Sequence, residues 1–227
     1  MKKLILIMTL IVYSVTGFCQ ESKPLISGIG IFKIDKTKRQ VIDSLITAGF
    51  SVDSCQLACN LKKQDSKKIL FPTTTNEIDY PLLKDHSVAF IINYDVAGIQ
   101  INNMRLDFYK GILYNIAIAN INTDLSDALK LKYDYTFKQD KQLIVCSSPY
   151  VSYERDEITT NIKFKTKPSY IANITFNDHY TSNCEKNSSS FFLIENSNTS
   201  KIVKDIESKI IYNGKNEENK NSKYNDL

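Results

Sequence analysis

Residues 99–118 constrain the fold more than any other stretch of this chain. Apolar side chains recur at Ile99, Ile101, Met104, Leu106 and Phe108, a turn follows at Tyr109-Lys110-Gly111, and Ile112, Tyr114, Ile116 and Ile118 resume the alternation. A period of two places successive side chains on opposite faces of a pleated strand. Two such runs joined by a short turn with glycine read as a β-hairpin. The phase slips once, at Asn102-Asn103, which suits a β-bulge. An isolated hairpin is marginal in water, so more strands or a covering helix must complete a sheet.

The rest of the chain supplies both. Residues 25–34 and 50–53 read as short strands, 87–94 as an apolar and central one, and 142–147, 158–165, 169–177 and 191–195 as further strands. In 169–177, Tyr170, Ala172, Ile174 and Phe176 face one way while Ile171, Asn173, Thr175 and Asn177 face the other, the signature of a sheet with one wet face. A helix over 37–48 is capped by Asp35 or Thr37, turns Val41, Ile42 and Leu45 inward and stops at Gly49. A second, over 123–133, is capped by Thr123 or Asp124 and sets Leu125, Ala128, Leu129 and Lys132 around its inner edge. Ile202, Val203, Ile206 and Ile210 mark a third. This order predicts an α+β fold, an antiparallel sheet or sheets with helices on one face. Superposing Val41, Leu45 and Gly49 on Leu125, Leu129 and Tyr133 suggests two tandem helix-plus-sheet units, 20–121 and 122–212. Residues 213–227, rich in Asn, Lys and Glu, read as a disordered tail.

The amino end gives an address. Lys2 and Lys3 precede an apolar run from Leu4 to Val15, and Gly17 and Cys19 are small residues at the minus-three and minus-one positions of a cut before Gln20. That is the pattern of a secretory signal peptide over residues 1–19. The run is too short for a spanning helix, which needs about 20 apolar residues. A lipid anchor on Cys19 is the alternative. The expectation is an exported protein, periplasmic or secreted, without a membrane span.

Composition narrows its role. Hydrophobic residues make up 42% of the chain, and 13 tyrosines and 11 phenylalanines suit strands. The net charge of +4, half of it on Lys2 and Lys3, and arginine at only positions 39, 105 and 155 argue against a nucleic-acid partner. Cys55, Cys59, Cys146 and Cys184 remain after Cys19 leaves, and an even count in an exported chain reads as disulfides. Three pairings are open. Cys55 with Cys59 and Cys146 with Cys184 is favoured because each pair then closes within one half of the chain.

Ile31-Phe32-Lys33-Ile34-Asp35-Lys36-Thr37 leading into Val41–Phe50 resembles the opening helix of the small-outer-membrane-lipoprotein (SmpA/OmlA) type of domain. Arg105–Ile116 is similar to the hairpin that such domains pack against their helices. The β-lactamase-inhibitor proteins share this architecture as two tandem copies, each tied by a disulfide. The resemblance implies binding of other proteins and no chemistry.

No catalytic motif competes with that expectation. Gly28 and Gly30 lack the remainder of a phosphate loop. His86 and His179, each after an aspartate, read as exposed residues at strand edges or in loops. Glu154, Asp156 and Glu157 suit a charged turn better than a glycosidase pair, and Tyr133, Tyr135 and Phe137 suit a core. No cofactor or metal motif is present. The role expected is a non-catalytic protein-interaction or inhibitor module of the cell envelope, partnered by another envelope or extracellular protein through Ile171, Asn173, Thr175 and Asn177. A small-ligand-binding or envelope-maintenance protein is the alternative, and a hydrolase the third reading.

Overall fold

The first helix begins where its sequence supplies a reciprocal cap. The Thr37 hydroxyl accepts from the Gln40 backbone N–H, and the Gln40 side chain accepts from the Thr37 backbone N–H. Helix α1 then runs Lys38–Thr47, buries Val41 and Leu45, and ends before Gly49, which adopts φ +84°. The structure, a computed structural model, describes residues 22–55, 66–72, 85–147, 152–181 and 183–224. For Cys55, Ser147 and residues 211–224 only the backbone is described. The signal segment with Cys19, Cys59 and most of the lysine-rich stretch at 60–68 lie outside these residues.

The strands are β1 (Gly28–Ile29), β2 (Phe32–Lys33), β3 (Ser51–Cys55), β4 (Lys68–Pro72), β5 (His86–Val96), β6 (Ile99–Tyr109), β7 (Ile112–Ala119), β8 (Tyr135–Ser147), β9 (Ser152–Phe164), β10 (Tyr170–Tyr180) and β11 (Lys186–Asn196). Helix α2 spans Thr123–Lys132 and α3 spans Ser197–Tyr224. Among the described residues, nine strands form one sheet in the order β3-β4-β5-β6-β7-β11-β10-β9-β8, parallel only between β3 and β4. The two meanders, β4 to β7 and β8 to β11, are joined by antiparallel pairing of β7 with β11. The fold is therefore α+β, and the sheet runs unbroken across the 121/122 boundary.

The inner face carries the core. Leu106, Phe108 and Ile116 from the first meander meet Ile162, Ile174, Phe192 and Ile194 from the second, beneath Leu45 of α1 and Leu125 and Leu129 of α2. The small β1–β2 hairpin closes one margin. Its turn at Gly30 has φ +55°, and a Cβ there would lie 2.2 Å from the Tyr94 hydroxyl, which accepts from the Ile31 N–H at 3.1 Å. The segment read as one strand at 25–34 is thus folded back on itself.

Two irregularities set which side chains change face. At Asn93, with φ 55°, the pairing Ile92↔Asn103 passes to Tyr94↔Ile101 in unchanged register. Both strands bend together there, so Ile101 and Met104 are both buried inward although three positions apart. The β-bulge expected at Asn102-Asn103 is therefore absent: the side-chain phase slips there, but both strands of the β5–β6 hairpin slip together and keep their register. The second lies between Asp107 and Phe108. Asp107 pairs with Asn115 and Phe108 with Leu113, leaving Tyr114 as the extra residue. Leu113 therefore enters the core, and Tyr114 turns to the opposite, outer face with Asn115. The alternation read through Ile112, Tyr114 and Ile116 breaks at this bulge.

Four further expectations are corrected. The helices do not all share one face: α1 and α2 pack inward, while α3 packs on the outer face, where its Val203 meets Tyr114 beside Tyr109 and Ile206. Ile202 and Ile210 of the expected stripe stay 48% and 40% exposed. Residues 213–224, read as a disordered tail, continue α3. Once docked turns have nucleated a helix, each added residue has only to propagate it, which Lys and Glu favour and which the intervening Asn residues and Gly214 weaken without preventing. Finally β4, an apolar run that the sequence reading passed over, is a strand, and so are most of β8 and the first half of β11 despite polar, non-alternating sequence. Their ladders hold them, as in the thirteen-residue pairing of β8 with β9 from Tyr135↔Phe164 to Ser147↔Ser152. Helix α2 is capped by Asn122, one residue before the candidates Thr123 and Asp124, and its buried residues are Leu125, Ser126 and Leu129 rather than Ala128.

Candidate functional site

The four residues read as an interaction face do share one face of β10. Ile171, Asn173, Thr175 and Asn177 alternate with the buried Tyr170, Ala172 and Ile174. Across the ladders, Asn173 stands opposite Lys163 and Leu193, and Thr175 opposite Asn161 and Phe191. The Asn173 amide donates to the Thr175 hydroxyl at 3.4 Å, which donates to Asn161 Oδ1 at 3.0 Å. Ile171 and Phe191 flank this polar row at 40% and 39% exposure. Among the described residues, Asn173 Oδ1 is buried with no hydrogen-bond partner, as are Asn103 Oδ1 and Asn115 Oδ1 on the same outer face. Carbonyl oxygens withdrawn from solvent and left unpaired are uncommon in folded proteins.

Next to that strip lies a polar cluster that sequence reasoning missed. Asp107, 1% exposed, accepts from Arg105 Nε at 2.9 Å and Nη2 at 2.7 Å, and from Asn115 Nδ2 at 2.7 Å. His86 Nε2 is 3.6 Å from Asp107 Oδ1 and 3.2 Å from the Tyr114 hydroxyl. Burial pushes the Asp107 carboxyl upward, but His86 and Arg105 outweigh it and hold it below the usual carboxylate range. Burial, with the charge of Asp107 and of Glu207 on α3, raises the Tyr114 phenol above its ordinary value. The cluster belongs to the docking site of α3. Its signal in sequence was the pair Arg105 and Asp107, two charged residues at strand spacing in an apolar hairpin, which is the spacing of same-face neighbours.

His86 is accordingly not the exposed strand-edge residue expected, because its side chain is only 7% exposed beside Asp107. It meets a carboxylate and a phenol rather than a serine or thiol, and α3 covers Tyr114. His179 is exposed on β10. Glu154 and Asp156 line an open depression of about 480 Å³ with Asp178, Tyr180 and Lys186, at the far end of the inner face. Within it, hydrogen bonds from Ser188 and Lys186 hold the Asp178 carboxyl below its ordinary value. These charges pair with one another on the ladder. Among the described residues, no group of three His, Cys, Asp or Glu side chains is placed to hold a metal ion. No described helix is long and apolar enough to cross a membrane.

Cys146 and Cys184 are free thiols in the structure. The expected bridge between them is not formed, although the two are neighbours: the closest approach of cysteines is 3.2 Å, and a hydrogen bond with Cys184 is the main cause raising the Cys146 thiol above its ordinary value. Cys184 sits in the β10–β11 turn at φ 62°. Of the proposed Cys55–Cys59 pair, Cys59 lies outside the described residues. Of the aromatic trio, Tyr133 is core, whereas Tyr135 and Phe137 are exposed on β8.

Fold and surface define an α+β protein built, among the described residues, on one nine-stranded, mostly antiparallel sheet, with a helix docked on Tyr114 of its outer face. Compared with known proteins, the chain matches no protein-family model, no curated protein and no solved structure.

Proposed function

We propose that this is an exported, non-catalytic interaction module that binds another envelope or extracellular protein through the outer face of β10 and β11. The observation that carries the reading is the unpaired Asn173 Oδ1 beside half-exposed Ile171 and Phe191. A row of amide and hydroxyl groups between two apolar side chains suits a partner offering N–H donors and an apolar anchor. The resemblance to the lipoprotein-type and inhibitor domains supports the same class. Export rests on the signal pattern at 1–19, and an oxidising destination would let Cys146 and Cys184, already in contact, form a disulfide.

The test uses a photo-crosslinking residue at Ile171 or Thr175 in the exported chain, with Asp53 as a control position on the distant edge strand. A discrete protein adduct from 171 and 175, absent at 53 and lost with Asn173→Leu, is expected. Equal labelling at all three positions, or loss of a measured enzymatic activity in His86→Ala with the fold intact, overturns the proposal.

A further inference from the structure

Strand β8 ends the nine-stranded order and pairs only with β9, so one side of a thirteen-residue strand presents unpaired N–H and C=O groups among the described residues. Such an edge is a template for another strand unless something blunts it. Tyr135–Ser147 contains no proline, and its inner face exposes Phe137, Leu143 and Val145 by 60–64%. We propose that β8 pairs antiparallel with β8 of a second copy of this chain, about a two-fold axis through Gln139, making one continuous sheet from two. The inference is independent of the β10–β11 face, which lies two strands in from this edge.

Charge selects the occupant and the register. A two-fold axis normal to the sheet keeps inner residues opposite inner ones and outer opposite outer. Centred on Gln139, it sets Lys138 opposite Asp140 of the second copy and Asp140 opposite its Lys138. Within one chain Lys138 Nζ and Asp140 Oδ1 are 2.8 Å apart, so the dimer carries a ring of four alternating charges. On the inner face Tyr135 meets Leu143 twice, and Phe137 lies along the stem of Lys141. Moving the axis to Asp140 opposes two carboxylates, and moving it to Lys141 opposes two ammonium groups; like charges directly opposite are destabilising. Opposite-charge and aromatic–aliphatic cross-strand pairs each favour the Gln139 register.

Lys138 and Asp140 are 74% and 54% exposed, so reversing either charge leaves the monomer fold intact. Sedimentation equilibrium on the mature chain at low salt is expected to show a dimer. K138D and D140K are each expected to dissociate roughly tenfold more readily, because each opposes like charges twice. Mixed one to one, they are expected to regain the dimer, since one chain then brings two carboxylates and the other two ammonium groups to the facing positions. In addition Q139C is expected to give a cross-linked dimer on mild oxidation, and Q142C, opposite Thr136, is not. A monomeric wild-type chain, a dimer indifferent to both reversals, a mixture no tighter than its components, or equal cross-linking at 139 and 142 refutes the proposal.

Discussion

Replacing Asp107 with alanine leaves three donor atoms without their acceptor. Arg105 Nε and Nη2 and Asn115 Nδ2 all converge within 2.9 Å on its two oxygens. Removing one partner of a fully buried ion pair costs about 3–5 kcal/mol, because the other charge stays uncompensated. Here the Arg105 side chain is 35% exposed and can turn to solvent, which moves the figure to the lower end. The Asn115 amide loses its acceptor as well, and its Oδ1 is already unpaired. The expected loss is about 3 kcal/mol, which for a chain of this length lowers Tm by roughly 6–12 °C. Asp107→Asn keeps the shape and loses the charge, so about 2 kcal/mol is expected. Urea denaturation followed by circular dichroism reads both, with an unchanged m-value as the check that the unfolded state is the same. The pH dependence carries a definite sign. Because the folded carboxyl titrates below its unfolded value of about 3.9, its stabilisation is complete above that pH and is lost as pH falls through the lower folded value. The gap between wild type and Asp107→Asn should therefore close in acid, and only there. A loss under about 0.5 kcal/mol for Asp107→Ala, as for an ordinary surface substitution, or a gap that does not narrow as pH falls below about 3.9, refutes the account of the cluster.

Three further outcomes follow from other parts of the molecule. Under oxidising conditions, peptide mapping should recover Cys146 linked to Cys184; closing a loop of roughly 40 residues contributes about 2–4 kcal/mol, and a bridge from Cys146 to Cys55 or Cys59 instead would overturn the contact seen. Truncation after 212 should leave Tm within a degree or two, whereas truncation after 198 removes buried Ser200 and Val203 and uncovers Tyr114, at a cost of at least about 2 kcal/mol; equal melting of the two would show that α3 is not docked. The Tyr170 phenol, raised to about 12 first by burial and then by its hydrogen bond to Asp35, should stabilise the fold fully below about pH 10 and lose that contribution between 10 and 12. Spectrophotometric titration of wild type against Tyr170→Phe checks this, and one fewer tyrosine ionising late is the expected difference.

What the sequence by itself determined is what depends on neighbours in the chain. The capping box of Thr37 and Gln40 and the stop at Gly49 are contacts within four residues, so the bounds of α1 were legible. The β6–β7 hairpin was legible because its turn and its alternation are adjacent, and so were the two faces of β10, which a period of two assigns without reference to any partner. Tertiary structure decided the rest. Pairing of β7 with β11, which fuses two meanders into one sheet, joins Asn115–Ala119 to Phe191–Glu195 across most of the second half of the chain. A single unpaired residue in β7 turned Tyr114 outward, and with it created the site where Val203 of α3 docks, beside the hydrogen bond of Tyr114 with His86. No periodicity in α3 reveals which face of a two-faced sheet will receive it, because an apolar stripe specifies burial and not direction. The same holds for β8: its exposed aromatics looked like core in sequence, and only the strand order, which leaves it at the edge, turned them into surface.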